Sequence, residues 1–118
     1  MNNSYSPDDL LEFSKRMGCG IEYARRELDD IEPGLRKRLL FALHHKIFDG
    51  EFLRDPIELD PVFMDLIEKA ATRAEAGVKY EGMGLCHMIW AEQARILKEE
   101  HDIDWYSPAE MNPWIQMD

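Results

Sequence analysis

Histidines and cysteines are the residues of this chain whose chemistry could support metal binding or nucleophilic catalysis. His44 is followed directly by His45, and Cys86 directly by His87. Neighbouring side chains on a helix point about 100° apart, so neither pair can easily hold one metal ion. The Cys-x-x-Cys, His-x-x-x-His and Glu-x-x-His spacings typical of metal sites do not occur. We therefore expect no metal, no cofactor and no catalytic residue, with an enzyme that uses His44, His45 or His87 as the least favoured alternative.

The charge of the chain is strongly negative and uneven. The 118 residues carry a formal net charge of −10. Residues 1–50 contain nine acidic and eight basic side chains, whereas residues 51–118 contain 15 acidic and six basic ones. A field of this sign repels phosphate groups, which argues against direct nucleic-acid binding and favours a basic protein surface as partner.

The acidic side chains are densest between residues 49 and 65, where they alternate with apolar ones. Apolar anchors ringed by like charge resemble an interface with a steering field. A connector folded onto its own core with a solvated outside is the favoured interpretation of this segment, and a partner-binding interface is the alternative that we carry forward. The predicted partner-binding carboxylates are Asp49, Glu51, Asp55, Glu58 and Asp60.

Residues 102–118 form an aromatic tail that contains Trp105, Tyr106 and Trp114. Trp and Tyr are the residue types that most often dominate interfaces. The tail either packs across the helices of its own chain or engages a partner or a second copy, so a homodimer is possible. We include these three aromatic residues among the predicted partner-binding residues.

A second hypothesis is a protein that binds or sequesters a small molecule. Its pocket would lie between the third and fifth predicted helices. The predicted anion-binding residues at the mouth of that pocket are Arg36, Lys37, Arg38 and His44.

Proline positions predict where helices begin. Pro suits the first position of a helix, because a backbone N–H at that position would have no acceptor within the helix. Five of the six prolines follow a polar residue that can cap a helix, and two of these have the spacing of a capping box. The five pairs are Ser6-Pro7, Glu32-Pro33, Asp55-Pro56, Asp60-Pro61 and Ser107-Pro108.

Apolar residues recur with helical spacing along most of the chain, and no segment sustains the alternation of a strand. We predict an all-α fold, a compact bundle of four or five helices with at most a marginal sheet. The helix over 33–48 is expected to be central, because it is apolar on two sides, and Asp49-Gly50 to end it. The predicted helices cover residues 7–17, 20–30, 33–48, 61–76 and 83–101, with short turns after Pro56 and Pro108. In the last of the five long helices, Gln93 falls within the apolar arc.

The chain is expected to form one soluble, cytoplasmic domain over residues 1–118. Its length fits a single core, and no window is apolar enough to span a membrane. Within this domain we expect an N-terminal three-helix unit over about 7–48 and a C-terminal helix pair with the aromatic tail over about 56–118.

Residues 10–34 resemble the ubiquitin-associated-like helices at the N-terminus of translation elongation factor Ts. The stretch 13–28 reads Phe-Ser-Lys-Arg-Met-Gly-Cys-Gly-Ile-Glu-Tyr-Ala-Arg-Arg-Glu-Leu. Gly18, Gly20, the pair Arg25-Arg26 and Leu28 match the family pattern of a glycine turn, a basic pair and a leucine. The resemblance implies a protein-binding three-helix fold. It implies no translational role, because the downstream motif that contacts the GTPase is missing.

Residues 84–113 resemble the C-termini of small uncharacterised phage and prophage proteins. The stretch begins at Cys86-His87-Met88-Ile89-Trp90, passes through Ile103-Asp104-Trp105 and ends at Met111-Asn112-Pro113. This resemblance implies a phage accessory protein. The favoured function is therefore a non-enzymatic, acidic protein-binding factor, such as a phage-encoded inhibitor that occupies a basic surface of a host defence or nucleic-acid-handling protein.

Overall fold

The computed structural model describes residues 5–79, 82 and 84–115, which form an all-α bundle with one short hairpin. Within these residues no helix is long and apolar enough to cross a membrane. The helices are α1 (Pro7–Met17), α2 (Ile21–Asp30), α3 (Pro33–His44), α4 (Pro61–Gly77), α5 (Leu85–His101) and the short α6 (Pro108–Met111). The hairpin pairs β1 (Phe48–Asp49) with β2 (Phe52–Leu53), and a 3₁₀ turn spans Pro56–Leu59.

All five helix starts predicted from proline are confirmed. Each of these prolines lies at the beginning of its helix or turn, and the residue before it accepts a backbone N–H through its side chain. Both expected capping boxes form, one at Ser6 with Asp9 and one at Ser107 with Glu110. Local chemistry therefore sets where most of these elements begin.

The prediction that the third helix reaches residue 48 is wrong, because α3 ends at His44. Lys46 adopts a left-handed conformation with φ of 56°, and the N–H of Ile47 then turns back to the carbonyl of Ala42 at 2.9 Å. The chain continues into the hairpin, whose two-residue loop begins at Gly50 with φ of 64°. A glycine at this position adopts positive φ without strain, so it allows the tight reversal.

Two hydrophobic clusters make up the interior. The first lies among α1, α2 and α3 and contains Phe13, Leu28 and Leu39, each with no exposed surface. The second lies between α4 and α5. Helix α3 packs against α1, β2, the 3₁₀ turn and α6, as its predicted central position requires.

The segment after α5 contributes to both clusters. Ile103 and Trp105 pack in the cluster of α4 and α5, whereas Met111 is fully buried in the cluster of α1 to α3. Over residues 102–115 the tail therefore packs across the helices, which is the first of the two arrangements considered for it. Because this segment packs in both hydrophobic clusters, it connects the cluster of α1 to α3 with the cluster of α4 and α5.

Asn112 connects this segment to the hairpin. Its side chain has no exposed surface, and its Oδ1 accepts the N–H of Leu53 at 2.8 Å. Its Nδ2 donates to the carbonyl oxygens of Leu53 at 3.0 Å and Pro108 at 2.7 Å. The amide thus satisfies backbone groups of β2 in the way that a neighbouring strand would.

Candidate functional site

A cleft of about 550 Å³ opens between the hairpin, the 3₁₀ turn, α4 and α5. Its walls are mostly apolar and include three aromatic side chains, Phe52, Trp90 and Trp105. Two exposed carboxylates lie among its lining residues, Asp49 from the hairpin and Glu68 from α4. We refer to this site as the acidic cleft.

Helical and strand spacing bring the lining residues together. On α5, Cys86, Trp90 and Gln93 follow one another at four and three residues and therefore share a face. In the hairpin, Asp49 is the direct cross-strand partner of Phe52. The cleft is thus built on regular elements, which hold its walls in place.

One cation, Arg54, lies among the lining residues, and it is paired within the chain. Its Nε donates to Glu58 Oε1 at 2.9 Å, and its Nη2 donates to the same oxygen. The other carboxylate oxygen, Glu58 Oε2, accepts the indole N–H of Trp105 at 2.8 Å. This pairing neutralises Arg54 and leaves Asp49 and Glu68 to set the charge of the rim.

Gln93 is the buried polar residue of the cleft, with 5% of its surface exposed. Its Nε2 donates to the carbonyl oxygen of Ile67 at 3.3 Å, which links α5 to α4. Among residues 5–79, 82 and 84–115, its Oε1 accepts no hydrogen bond. The amide therefore presents an acceptor for which this part of the chain supplies no donor.

The structure separates the predicted partner-binding carboxylates into two groups. Asp49, Glu51 and Asp60 are exposed, although Asp60 also caps α4 through the N–H of Val62. Asp55 has no exposed surface, and Glu58 is 11% exposed and paired with Arg54. We correct the sequence-based set accordingly: Asp55 and Glu58 fold the connector onto the core, because their oxygens bind groups of this chain.

The three predicted partner-binding aromatic residues also contact their own chain. Trp105 is 6% exposed, and its indole N–H is bound to Glu58. Trp114 is half-buried and meets the ring of Phe13 edge-on, with ring centres 6.0 Å apart. Trp105 is therefore a wall of the acidic cleft, whereas partner binding by the half-buried Trp114 stays a prediction.

Tyr106, the third of these residues, is held by a carboxylate. Its hydroxyl donates to Glu32 Oε2 at 3.0 Å. Burial and then this hydrogen bond raise the pKa of Tyr106 to about 12. The pKa of Glu32 is lowered, chiefly by the N–H of Gly34 and then by the Tyr106 hydroxyl. These contacts tie the tail to the beginning of α3, and partner binding by Tyr106 stays a prediction.

The predicted anion-binding residues do not assemble at one pocket. Arg36 is buried and donates to the carbonyl of Leu28 at 3.1 Å, while Arg38 pairs with Asp55. Lys37 and His44 line a small exposed depression that they share with Phe41. Lys37 and Arg38 line another one beside the 3₁₀ turn, so neither depression contains all four residues. The cleft is bounded by the hairpin, α4 and α5, so the pocket expected between the third and fifth helices is replaced by one that lacks these basic residues.

No group of three or more potential metal ligands occurs within the described residues. His44 and His45 lie side by side at the end of α3, with ring centres 5.0 Å apart, and His44 Nδ1 lies 3.6 Å from Glu12. His87 lies on α5 and meets the ring of Trp90 edge-on at 5.5 Å. The acidic cleft itself offers apolar walls and hydrogen-bond acceptors to an occupant.

Glu68, Trp90 and Gln93 are among the cleft residues that the sequence did not single out as functional. Glu68 resembled any other solvated acid on a helix, and Trp90 resembled core. Gln93 did carry a signal, because a polar residue within an apolar arc requires a partner or a purpose. The sequence did not show that α4 and the hairpin lie around Gln93.

Comparisons with protein-family models, with curated proteins and with solved structures found no match for this chain. The resemblances of residues 10–34 and 84–113 therefore stay predictions.

Proposed function

We propose that this protein is a non-enzymatic binding factor that takes a basic segment of a partner protein into the acidic cleft. The observation that carries the proposal is the combination of apolar walls with an acidic rim. Phe52 and Trp90 offer apolar contact, while Asp49 and Glu68 attract positive charge. Apolar anchors surrounded by complementary charge are the usual anatomy of a specific interface.

The charge of the whole chain supports the same partner. A net charge of −10 attracts a basic surface over a distance and accelerates the encounter, in a manner that salt weakens. The exposed carboxylates Glu51 and Asp60 add to this field outside the cleft. The expected role as a phage accessory protein or inhibitor of a host protein fits this mode of binding and is part of the proposal.

A second candidate function, the binding of a small molecule, is favoured by one observation. The volume of the cleft, about 550 Å³, lies within the range of ligand pockets, roughly 300–1,000 Å³. Native mass spectrometry of the protein purified from cells tests it. A co-purifying metabolite would support this function, and a mass equal to that of the chain alone would count against it.

Selection from a random peptide library against the immobilised protein tests the proposed function. The enriched peptides should be rich in arginine and lysine next to apolar residues, and increased salt should weaken their binding. Asp49→Asn combined with Glu68→Gln should abolish the enrichment. The matched control is Asp30→Asn combined with Glu75→Gln, which removes two exposed carboxylates outside the cleft. Enrichment of neutral or acidic peptides, or equal binding by both double variants, would contradict the proposal.

A further inference from the structure

The unpaired acceptor of Gln93 restricts what the acidic cleft can bind. The side chain is held from one side, because its Nε2 donates to the backbone of Ile67. Its Oε1 is left without a donor from the described residues, inside a residue that is 5% exposed. This oxygen is not one of the fully buried side-chain atoms that lack a partner, so an occupant of the cleft can reach it and donate to it.

The carboxylates of the cleft are acceptors as well. Asp49 and Glu68 are carboxylates, and Glu58 is a third that already binds Arg54 and Trp105. Arg54 is the cation among the lining residues, and two of its nitrogens donate to Glu58. An occupant that carries donors and positive charge therefore matches the cleft, whereas an anion does not.

The aromatic walls favour a flat cation. Trp90 precedes Gln93 by three residues on α5, so its ring lies on the same helix face as the unpaired acceptor. A guanidinium is planar, stacks on aromatic rings and carries five N–H donors. A lysine ammonium is compact and strongly hydrated, so it loses more on leaving water.

We infer that the acidic cleft binds the side chain of a partner arginine, with the guanidinium against Trp90 and donating to Gln93 Oε1 and to the rim carboxylates. This inference rests on the proposed function and specifies which basic residue the cleft selects. Gln93 and Trp90 are then specificity-determining residues, and Glu68 and Asp49 supply the general attraction for positive charge.

Three tripeptides that differ at one residue test the inference on the full-length protein. Blocked Ala-Arg-Ala, Ala-Lys-Ala and Ala-citrulline-Ala are titrated while tryptophan fluorescence and amide chemical shifts are recorded. Citrulline keeps the planar shape and most donors of arginine but lacks its charge. Arginine should bind about tenfold more tightly than either of the other two. Equal binding of all three peptides, or no binding of the arginine peptide up to millimolar concentration, would overturn the inference.

Two variants separate this inference from the proposed function. Gln93→Leu and Trp90→Leu should each reduce the preference for arginine over lysine, measured as the ratio of the two affinities so that a general loss of binding does not count. Glu75→Gln on α4 is the control and should leave the preference unchanged. Thermal unfolding shows whether each variant is folded, and Gln93→Leu should remain so, because leucine suits the apolar surroundings of this position. If both variants keep the full preference for arginine, the inference is wrong, although the proposed function stands.

Discussion

Arg38 and Asp55 form an ion pair at the join between the two halves of the molecule. Arg38 Nη1 lies 2.7 Å from Asp55 Oδ2, and the carboxylate has no exposed surface. Oδ2 also accepts the backbone N–H of Tyr106 at 2.9 Å, and Oδ1 accepts that of Ile57 at 3.1 Å. Arg38 donates in addition to the carbonyl oxygen of Asp104. One buried carboxylate thus joins α3, the 3₁₀ turn and the tail.

Asp55→Ala should lower the free energy of unfolding by about 3 kcal/mol, because it leaves Arg38 and two backbone N–H groups without their acceptor. The Arg38 side chain is 30% exposed, so water can still solvate its charge in the variant. This solvation limits the loss in the free energy of unfolding. Urea unfolding measures this change in the free energy of unfolding. The matched control Glu75→Ala, an exposed carboxylate, should change stability by less than about 0.5 kcal/mol. Equal losses in the two variants would contradict the role assigned to Asp55.

Asn112→Ala should lower the free energy of unfolding by about 2–3 kcal/mol, because the N–H of Leu53 and two carbonyl oxygens lose their partner inside the fold. Hydrogen exchange locates the effect, since the amide of Leu53 should exchange much faster in the variant. If stability is unchanged and that amide remains protected, Asn112 does not hold the hairpin in solution.

Three substitutions on α3 test the position of the core. Leu39 has no exposed surface, so Leu39→Ala should destabilise the fold by about 2–5 kcal/mol. Phe41 is 50% exposed on the same helix, so Phe41→Ala should cost less than about 1 kcal/mol. Leu43, which is 7% exposed, should respond as Leu39 does. The reverse order of losses would mean that α3 buries its other face.

Alkaline pH should weaken the attachment of the tail. The pKa of Tyr106 is raised from 10.0 to about 12 in the folded protein, so the unfolded chain releases this proton first as pH rises. Stability from this group is fully present below pH 10.0 and is lost between 10.0 and about 12. Urea unfolding across this range should give a steeper decline for the natural chain than for Tyr106→Phe. Parallel declines would show that the hydroxyl is not held by Glu32.

Helix starts could be predicted from the sequence because their determinants are local. Ser6 and Ser107 cap helices through groups three residues away, which a linear pattern reveals. The end of α3 was mispredicted because Ile47 and Phe48 continue its apolar spacing, while the turn that removes them depends on the positive φ of Lys46.

The contacts that shape the cleft join residues that are far apart in the sequence, and no local sequence pattern predicts them. Leu53 and Asn112 are separated by 59 positions, and Glu58 and Trp105 by 47. The acidic segment was recognised as a feature, but its division into buried and exposed carboxylates depends on which of them meet Arg38 and Arg54. Tertiary packing decides which carboxylates are buried. The sequence therefore predicted that the surface is acidic but not where on the fold the acidic site lies.

The most direct test of the account is to map, by amide and indole chemical shifts, where an arginine-containing peptide binds. On addition of the blocked Ala-Arg-Ala peptide, the largest changes should occur at the Trp90 indole, the Gln93 side-chain amide and the backbone around Glu68. These changes should be lost in Asp49→Asn combined with Glu68→Gln. Changes concentrated on Lys37, Phe41 and His44, or changes that persist in the double variant, would contradict the claim that the acidic cleft is the binding site.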